Sequence, residues 1–566
     1  MESGIVVFGA ANKLSSRSVP VSLLDRLDTW KSRYGARDYA PLERLLLAAR
    51  KARWRDAASL IRLHETVLFL RAWPPTPQVA RLADAILFSF SSRIAKLPTH
   101  ELSAFAEPEV SGIAGTSLSA VFGYEVARSL HERYPGNVEL AWDCYDTADR
   151  LGPLLARWLM PLGEEWPVEA HVPYREWISA ARDGARSDLA WLLERAQAES
   201  FDALEAPLTW RIADARSSRS RLRLPGKRLF CHTAPLLRRS DVSLAEQLES
   251  PPLPVRRLPP REARKLLDLM LDTSAMRYRQ LYGFSHPDET GVFHADVGRG
   301  VDIFFFGVPA RRRLPIRAYH AGMFFKNGVP AGYIELLSLF ERAETGFNLY
   351  YTFREGESAW LYARLLRLFH QALGVSCFSV DPYQIGLENR EAIDSGAFWF
   401  YRKLGFRPVD PRVAALTAGE ERRMRQTPGY RSPKRTLEKL AADCVIFEAP
   451  SAEKGAWDRF RIHNISLACA DLGFDGPMRR AASRRIARAL GVESGSGLAM
   501  AMSRIPGLEA WTSEEKAAAA AVLRAKEDGG EARYLKLMQR HRRLRAAFLA
   551  MGYESPRPSD EPCAIQ

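Results

Sequence analysis

The stretch best suited to chemistry is a short loop, residues 353–358, which reads FREGES between a strand-like run and a helix-like run. A loop that holds a glycine and leads into a helix exposes backbone N–H groups at the positive end of the helix dipole. Such a site binds a pyrophosphate without needing side chains. Ser358 is expected either to cap the helix or to contact a phosphate, and the loop taken alone also fits a plain helix cap.

A second unusual stretch is an aromatic run, residues 398–401, which reads FWFY and precedes Gly405. Four consecutive rings cannot all face one core from one helix. Tyr401, the last of the four, adds a hydroxyl to its ring, and a phenol with an ordinary pKa near ~10 can donate a proton. Its role depends on the elements that surround it.

Strand and helix patterns alternate around both stretches, from about residue 263 to residue 412. Strand-like runs read VDIFFFGVP, IRAYHAGMFF and GFNLYYTF, and Asn327-Gly328 lies where a tight hairpin turn needs positive φ. A helix closed by Gly374, a strand VSCFSVDP and a helix over 391–405 follow. A meander followed by strand–helix–strand–helix predicts an α+β fold with a mixed sheet.

With these strands, helices and the loop at 353–358 in this order and spacing, residues 263–412 resemble the GCN5-related N-acetyltransferase (GNAT) superfamily. The most specific part is the pattern A-x-x-F-Y-x-K-L-G-F at 397–406, and the hairpin FFKNGVPAGYIELL fits the second and third strands of that family. The resemblance implies a GNAT-like mixed sheet that binds acetyl-CoA or another acyl-CoA as substrate. It also implies transfer of the acyl group to an amine acceptor by direct attack on the thioester.

The resemblance places the acyl-CoA on the loop and its flanks, at Tyr351, Thr352, Phe353, Arg354, Gly356, Ser358 and Ala359. The family's loop usually reads R/Q-x-x-G-x-G/A, and two registers are open here. In the preferred register Gly356 takes the first glycine position, Ser358 takes the second, and Phe353 replaces the basic or amide residue. In the other register Arg354 opens the motif and Ala359 closes it.

Two acidic residues depart from the family's loop. Glu355 and Glu357 put carboxylates beside the expected pyrophosphate, and Arg354 offsets their repulsion only in part. The sequence therefore predicts a loop that is electrostatically less favourable for acyl-CoA than the family's own.

Tyr401 has two open interpretations. In the family, a tyrosine at this helix position lies near the thioester sulfur and protonates the departing thiolate. The alternative is an aromatic belt that closes the helix against the sheet, with Tyr401 as one ring among four. The family often has an asparagine seven residues earlier, where this chain has Asp394.

A general base is also needed to take a proton from the amine. Glu335, within GYIELL, and His320, within IRAYHAGMFF, are polar residues in strand-like surroundings, and either is a candidate to face a cleft between parted strands. The alternatives are a solvated strand face for Glu335 and a partly buried, hydrogen-bonded histidine for His320.

Composition limits the class of protein. The chain has 566 residues, 46% of them hydrophobic, and a formal charge of +14 that favours anionic partners such as nucleic acid or phosphorylated molecules. The six cysteines form no C-x-x-C pair, and no window approaches the length of a membrane span. These features predict a cytoplasmic protein with no membrane association.

Pattern changes along the chain predict a mainly helical N-terminal region, a basic proline-rich connector, a sheet domain and a basic helical C-terminal region. The predicted bounds are 1–40 for an N-terminal segment, 41–205 for the helical domain, 206–262 for the connector, 263–412 for the GNAT-like domain, 413–553 for the C-terminal helical domain and 554–566 for a disordered tail. The connector is expected to be solvated. Residues 412–561 carry 27 Lys plus Arg against 19 Asp plus Glu, so more than half of the net charge lies there.

Two functions from different classes follow. The first is an acyl-CoA-dependent N-acyltransferase whose flanking helices select an amine acceptor. The second is a non-catalytic GNAT-like scaffold whose basic C-terminal region binds nucleic acid or an acidic protein. The altered loop favours the scaffold, and the retained Tyr401 favours the enzyme.

Overall fold

The computed structural model describes residues 21–31, 33–145, 148–166, 172–184, 186–224, 229–473 and 476–553. Most of the predicted N-terminal segment and all of the predicted disordered tail lie outside the described residues. Helix (53%) outweighs strand (13%), but most strands gather into one nine-stranded mixed sheet. The α+β prediction is therefore confirmed at the level of fold class. Within the described ranges, no helix is long and apolar enough to cross a lipid bilayer.

The strands in chain order are β1 (Ser117–Val121), β2 (Val138–Leu140), β3 (Pro207–Arg211), β4 (Val255–Arg257), β5 (Phe293–Gly298), β6 (Val301–Phe306), β7 (Ala318–Lys326), β8 (Val329–Leu339), β9 (Arg342–Leu349), β10 (Cys377–Val380), β11 (Arg407–Pro408) and β12 (Val445–Glu448).

The helices of the N-terminal half are α1 (Val21–Lys31), α2 (Ala40–Lys51), α3 (Ala57–Ala72), α4 (Pro77–Leu87), α5 (Phe90–Ile94), α6 (Tyr124–Arg133), α7 (Ala148–Trp158), α8 (Met160–Glu165), α9 (Tyr174–Ala181), α10 (Asp188–Arg195), α11 (Ala198–Leu204), α12 (Leu244–Glu249), α13 (Pro260–Ala275) and α14 (Tyr282–Ser285).

The remaining helices are α15 (Ser358–Leu373), α16 (Pro382–Ile385), α17 (Arg390–Ser395), α18 (Ala397–Arg402), α19 (Pro411–Gln426), α20 (Lys434–Leu440), α21 (Ile462–Ala468), α22 (Pro477–Leu490), α23 (Gly497–Met502), α24 (Ser513–Glu527), α25 (Glu531–Arg540) and α26 (Arg542–Gly552).

The large sheet has the strand order β11-β12-β10-β9-β8-β7-β6-β5-β4. Neighbouring strands are antiparallel except β9 and β10, which are parallel because α15 carries the chain back to the same end of the sheet. The turn between β7 and β8 has φ angles of 48° at Asn327 and 78° at Gly328. Both values are positive, as the predicted hairpin requires.

The parallel strands β9 and β10 part after three residues. Residues 342–344 of β9 pair with residues 377–379 of β10, while β9 continues to Leu349 with β8 as its one neighbour among the described strands. The sheet therefore opens between residues 345–349 and the end of β10. This opening is a cleft between parted strands of the kind expected for the two candidate bases, Glu335 and His320.

Helices cover both faces of the sheet. On one face, Phe305 of β6 packs against Phe369 of α15, with ring centroids 5.4 Å apart. On the other face, Phe284 of α14 packs against Phe306 and Tyr333. These two layers fix which strand side chains lie under α15 and which lie under α14.

One apolar core connects the whole of the described chain. It extends from Leu24 of α1 to Leu549 of α26 and includes residues on both sides of the predicted boundaries at 40/41, 205/206, 262/263 and 412/413. The boundaries themselves stay predictions.

The connector differs from its expected solvated state. Ser217, Ser218, Arg219 and Ser220 are all buried, and Leu224 donates its backbone N–H to the carbonyl of Gly328 in the β7–β8 turn. Polar residues are tolerated in this interior position because the segment finds hydrogen-bond partners there, above all Glu65, which accepts from Arg219.

Other local predictions need correction. The region predicted as mainly helical, 41–205, contains two strands, β1 and β2, which pair with β3 of the predicted connector, and the large sheet gains β12, which lies beyond the predicted limit at residue 412. The helix predicted over 391–405 is two short helices, α17 and α18, because Gly396 adopts a left-handed conformation with φ of 66°.

Candidate functional site

The predicted phosphate loop leads directly into α15. A tight turn over Tyr351–Phe353 follows β9, and α15 begins at Ser358 with Glu357 as its N-cap residue. Neither Glu357 nor Ser358 caps the helix through its side chain. The first backbone N–H groups of a helix have no acceptor within it, and no described residue takes that place here. The start of this 16-residue helix is therefore open to an anion.

A pocket of about 310 Å³ lies at this helix start. Gly356, Ser358 and Ala359 line it from the loop, and Lys31, Arg238 and Arg239 add three cations. Glu355 is the one acid among the described residues that line it, and this mostly exposed side chain forms an ion pair of 2.7 Å with Lys31. Positive charge therefore prevails around open N–H groups, which suits a phosphorylated ligand.

Glu357 does not face this pocket. Its carboxylate is 1% exposed, is bound by the guanidinium of Arg299, and accepts the backbone N–H of Leu237 at 3.0 Å. The expected repulsion by two carboxylates is therefore reduced to the effect of Glu355 alone. Lys326, buried nearby, has a pKa lowered to about 7 by burial and by the charge of Arg299, although the charge of Glu357 raises it.

The seven predicted ligand-binding residues fall into three groups. Gly356, Ser358 and Ala359 line the pocket. Tyr351 and Arg354 lie beside it and both bond to Glu391, with the Arg354 guanidinium 3.9 Å from the centre of the Tyr351 ring. Thr352 and Phe353 point into the interior instead.

The interior pair anchors the loop to α3. Phe353 packs on Trp73, with ring centroids 5.4 Å apart, and the Thr352 hydroxyl donates to Glu65. Arg219 donates to Glu65 at 2.7 Å and to the Thr352 hydroxyl at 2.9 Å. Burial raises the pKa of Glu65, but the Arg219 charge and the hydrogen bonds from neighbouring groups outweigh it and bring the pKa to about 2.

The same network contains a serine–histidine–glutamate chain that residue spacing does not suggest. His64 Nε2 lies 3.0 Å from Ser220 Oγ, and His64 Nδ1 lies 3.0 Å from Glu65 Oε1. Ser220 and His64 are completely buried, and Ser220 Oγ also accepts the backbone N–H of Ala114. Because no substrate reaches the hydroxyl, this chain serves packing between α3 and the connector.

Aromatic residues line the opening between β9 and β10. Thr345 and Phe347 belong to the parted segment of β9, and Tyr362 of α15 contacts both, by a 2.9 Å hydrogen bond to the Thr345 hydroxyl and by ring packing on Phe347. Phe400 of α18 stacks on Phe347. The aromatic run of α18 thus borders the opening.

Tyr401 lies behind Tyr362 and Phe400, the rings that border the opening, and packs against both. It packs edge-on against Tyr362 and Phe406, and it is not among the residues that line the pocket at Gly356. Its side chain is 3% exposed, its hydroxyl bonds to no described residue, and burial raises its pKa above the ordinary value. The phenol therefore stays protonated at neutral pH, which suits either interpretation.

The two predicted bases lie on opposite faces of the sheet. His320 pairs with Leu336, on the face that carries α15, and it is buried. Burial and the charge of Lys526 lower the pKa of His320 to about 4. His320 therefore does not face an open cleft, because the helices on this side of the sheet seal it in.

Glu335 is better placed. It pairs across the strands with Gly346, which belongs to the parted segment of β9. The Tyr319 hydroxyl donates to its carboxylate, and the side chain is half-buried on the face that carries α14. Burial raises the pKa of Glu335, although the hydrogen bond from Tyr319 lowers it.

The chain matches no protein-family model, no curated protein and no solved structure. The geometry of the site is accordingly the basis for a function.

Several residues of the site carry no sequence signal. Lys31, Arg238 and Arg239 lie far from the loop at Glu355–Ala359 along the chain, and Arg299 reaches Glu357 from the β5–β6 turn. The loop sequence indicated an anionic ligand, but only the general excess of basic residues in the chain pointed to these four cations.

Proposed function

We propose that this protein is an acyl-CoA-dependent N-acyltransferase that uses acetyl-CoA or a related thioester. The observation that carries the proposal is the basic pocket at the start of α15, next to the opening between β9 and β10. The resemblance of residues 263–412 to the GNAT superfamily implies this combination. The pocket holds the pyrophosphate of the acyl-CoA, and the opening receives the pantetheine arm that carries the acyl group.

The pocket supplies what a pyrophosphate needs. The open N–H groups at Ser358 and Ala359 donate to phosphate oxygens, and Lys31, Arg238 and Arg239 supply compensating charge. A volume of about 310 Å³ accommodates a diphosphate and part of its sugar, while the rest of the ligand lies on the open surface.

The opening in the sheet supplies a place for the extended pantetheine arm that carries the acyl group. Beyond residue 344, β9 has backbone groups on the β10 side that pair with no strand of the described chain. An extended chain with amide groups binds such an edge in the way an added strand does. The thioester then lies between Tyr362 on one face and Glu335 on the other.

The proposed chemical step uses Glu335 as base and Tyr401 as acid. The amine nitrogen attacks the thioester carbonyl, an N–C bond forms, and the C–S bond breaks. Glu335 accepts the amine proton, and its raised pKa makes it a stronger base than an exposed carboxylate. Tyr401 gives a proton to the sulfur, and because burial raises its pKa, it does so more weakly than an exposed phenol.

Titration of the full chain with acetyl-CoA by calorimetry tests the proposal. We expect binding that the paired change Arg238→Ala and Arg239→Ala weakens about tenfold to a hundredfold, as for lost hydrogen bonds to a charged group. The paired change Arg480→Ala and Arg484→Ala removes the same net charge from α22 and serves as the control. Absence of binding, or equal weakening in the control, would contradict the proposed function.

The scaffold function remains the second candidate because of the surface of α22. Arg480, Arg484 and Arg488 are four residues apart, so they share one face of the helix, and all three are exposed. None of them bonds through its side chain to another residue of the described chain. A row of free guanidinium groups favours an anionic polymer such as nucleic acid.

A further inference from the structure

A group of unpartnered polar side chains lies on the α14 face of the sheet, beside Glu335. Tyr333 pairs across the strands with Asn348, two residues from the Glu335–Gly346 pair. The Tyr333 hydroxyl and the Asn348 side chain bond to no residue that the structure describes. Gln384 of α16 approaches from across the opening, with its Nε2 3.9 Å from where a Cβ on Gly346 would stand.

Arg279 completes this group. It follows α13, and Tyr278 directly before it has a left-handed φ of 54°, which turns the chain at the helix end. The guanidinium is half-buried and donates to no described residue, although its charge acts on Tyr333, Tyr351, Tyr383 and Glu391. A half-buried guanidinium with no protein acceptor has donors available, so it marks a candidate place for an anionic ligand group.

The local charge selects the ligand. Glu391, whose charge acts on Arg279, already accepts from Arg354 and Tyr351. Arg277 lies 4.2 Å from the centre of the Tyr350 ring and adds a second buried cation behind Tyr333. The site thus has a modest positive surplus, which suits a monoanion better than a phosphate dianion. The flat guanidinium fork matches a carboxylate.

The positive charge of Arg279 and the negative charge of Glu335 both act on the Tyr333 hydroxyl, and Tyr333 is two residues from Glu335 on the same face of β8. A molecule bound at the Tyr333 hydroxyl therefore has both a cation and a carboxylate base nearby. An amine with a neighbouring carboxylate satisfies both ends.

We propose that the acceptor of the acyl group is an amino acid or another amine with a nearby carboxylate, and that Arg279 and Tyr333 bind this carboxylate while Glu335 receives the amine. The assignment rests on the proposed acyltransferase function. Arg279 is a specificity-determining residue in this scheme and takes no part in the proton transfers.

The test compares matched pairs of acceptors with the full chain. L-phenylalanine, L-lysine and L-glutamate are each paired with the amine formed by removing the α-carboxylate, and release of CoA from acetyl-CoA is followed. We expect at least one amino acid to exceed its amine tenfold or more in kcat/KM. Arg279→Gln should bring this ratio close to one by raising KM for the amino acid, and Tyr333→Phe should lower the ratio in part.

Arg264→Gln is the matched control because it removes the same charge from the exposed surface of α13, and it should leave the ratio unchanged. Equal rates for every amino acid and its amine, or a preference that survives Arg279→Gln, would overturn the inference. Retained melting temperature for each variant shows that folding is intact.

Failure of the proposed function is separable from failure of this inference. If the chain binds no acetyl-CoA, the acyltransferase function fails, and saturation-transfer NMR with the same six molecules then decides whether the carboxylate site exists. Binding of an amino acid that Arg279→Gln abolishes would support the site, and equal or absent binding in both proteins would rule it out.

Discussion

Arg299 binds the carboxylate of Glu357 directly in front of α15, with its Nε 3.1 Å from Oε2. This ion pair turns an acidic residue of the loop away from the basic pocket and leaves Gly356, Ser358 and Ala359 to line it. An unfavourable feature of the loop sequence thus becomes a structural link between α15 and the β5–β6 turn.

Removal of Arg299 should cost stability. Arg299→Met leaves the Glu357 carboxylate buried without its main partner, and we expect a loss of about 3 kcal/mol or more in the free energy of unfolding. Adding Glu357→Gln to Arg299→Met should recover much of the loss, because the buried charge is then gone. Urea unfolding followed by circular dichroism measures both variants, and equal stability of the single and double variants would contradict this account.

Acid should weaken the anchor between α3 and the loop. The folded pKa of Glu65, about 2, lies below its ordinary value of 4.5, so its contribution is complete above about pH 4.5 and is lost as the pH falls toward 2. The contribution amounts to at most about 3 kcal/mol, and less because water reaches 22% of the side chain.

The measurement for Glu65 is the urea midpoint at several pH values between 6 and 3. Glu65→Gln should lower the midpoint at pH 6, since Arg219 then loses its partner, and should flatten the fall between pH 4.5 and 3. A fall in the variant as steep as in the parent protein would show that other carboxylates dominate.

The sheet is the part of the fold that local sequence patterns specify best. Asn327-Gly328 supplies the positive φ angles of the hairpin, and the apolar runs on either side contain β7 and β8. Val445–Glu448 was missed because a strand of four residues between helical patterns has too few positions to show its period.

The candidate site is predictable only in part, and for a different reason. The loop from Gly356 to Ala359 is local and was identified from its glycine and its position before a helix. Lys31 and Arg238 join it through the packing of distant segments, and the inward orientation of Glu357 depends on Arg299. Such contacts depend on the folded backbone, which local spacing does not encode.

Binding of nucleic acid is best tested on α22. Deletion of the C-terminal region is unsuitable because it would remove β12 from the sheet. The triple change of Arg480, Arg484 and Arg488 to alanine should weaken binding of a short DNA duplex. It should also reduce the slope of log affinity against log salt by about 0.9 for each phosphate that the variant no longer binds. An intact protein with no salt-dependent binding would leave these arginines as solvated surface charges.

Tyr401 allows a direct separation of catalysis from packing. If its hydroxyl protonates the departing thiolate, Tyr401→Phe keeps the ring packing on Tyr362 and Phe406 and should lower turnover about tenfold to a thousandfold, with little change in acetyl-CoA binding. Because the hydroxyl bonds to no described residue, its removal should cost little stability.

If Tyr401 serves packing alone, Tyr401→Phe should be almost silent, and Tyr401→Ala should destabilise the protein by about 3 kcal/mol or more through the cavity it leaves. Tyr534→Phe is the control, since this buried phenol of α25 donates to the carbonyl of Ile316, in the loop before β7. It should affect stability and leave turnover unchanged. A Tyr401→Phe enzyme with full turnover would rule out Tyr401 as the acid. The departing thiolate would then take its proton from water. Water reaches the opening between β9 and β10 past the half-buried Phe347.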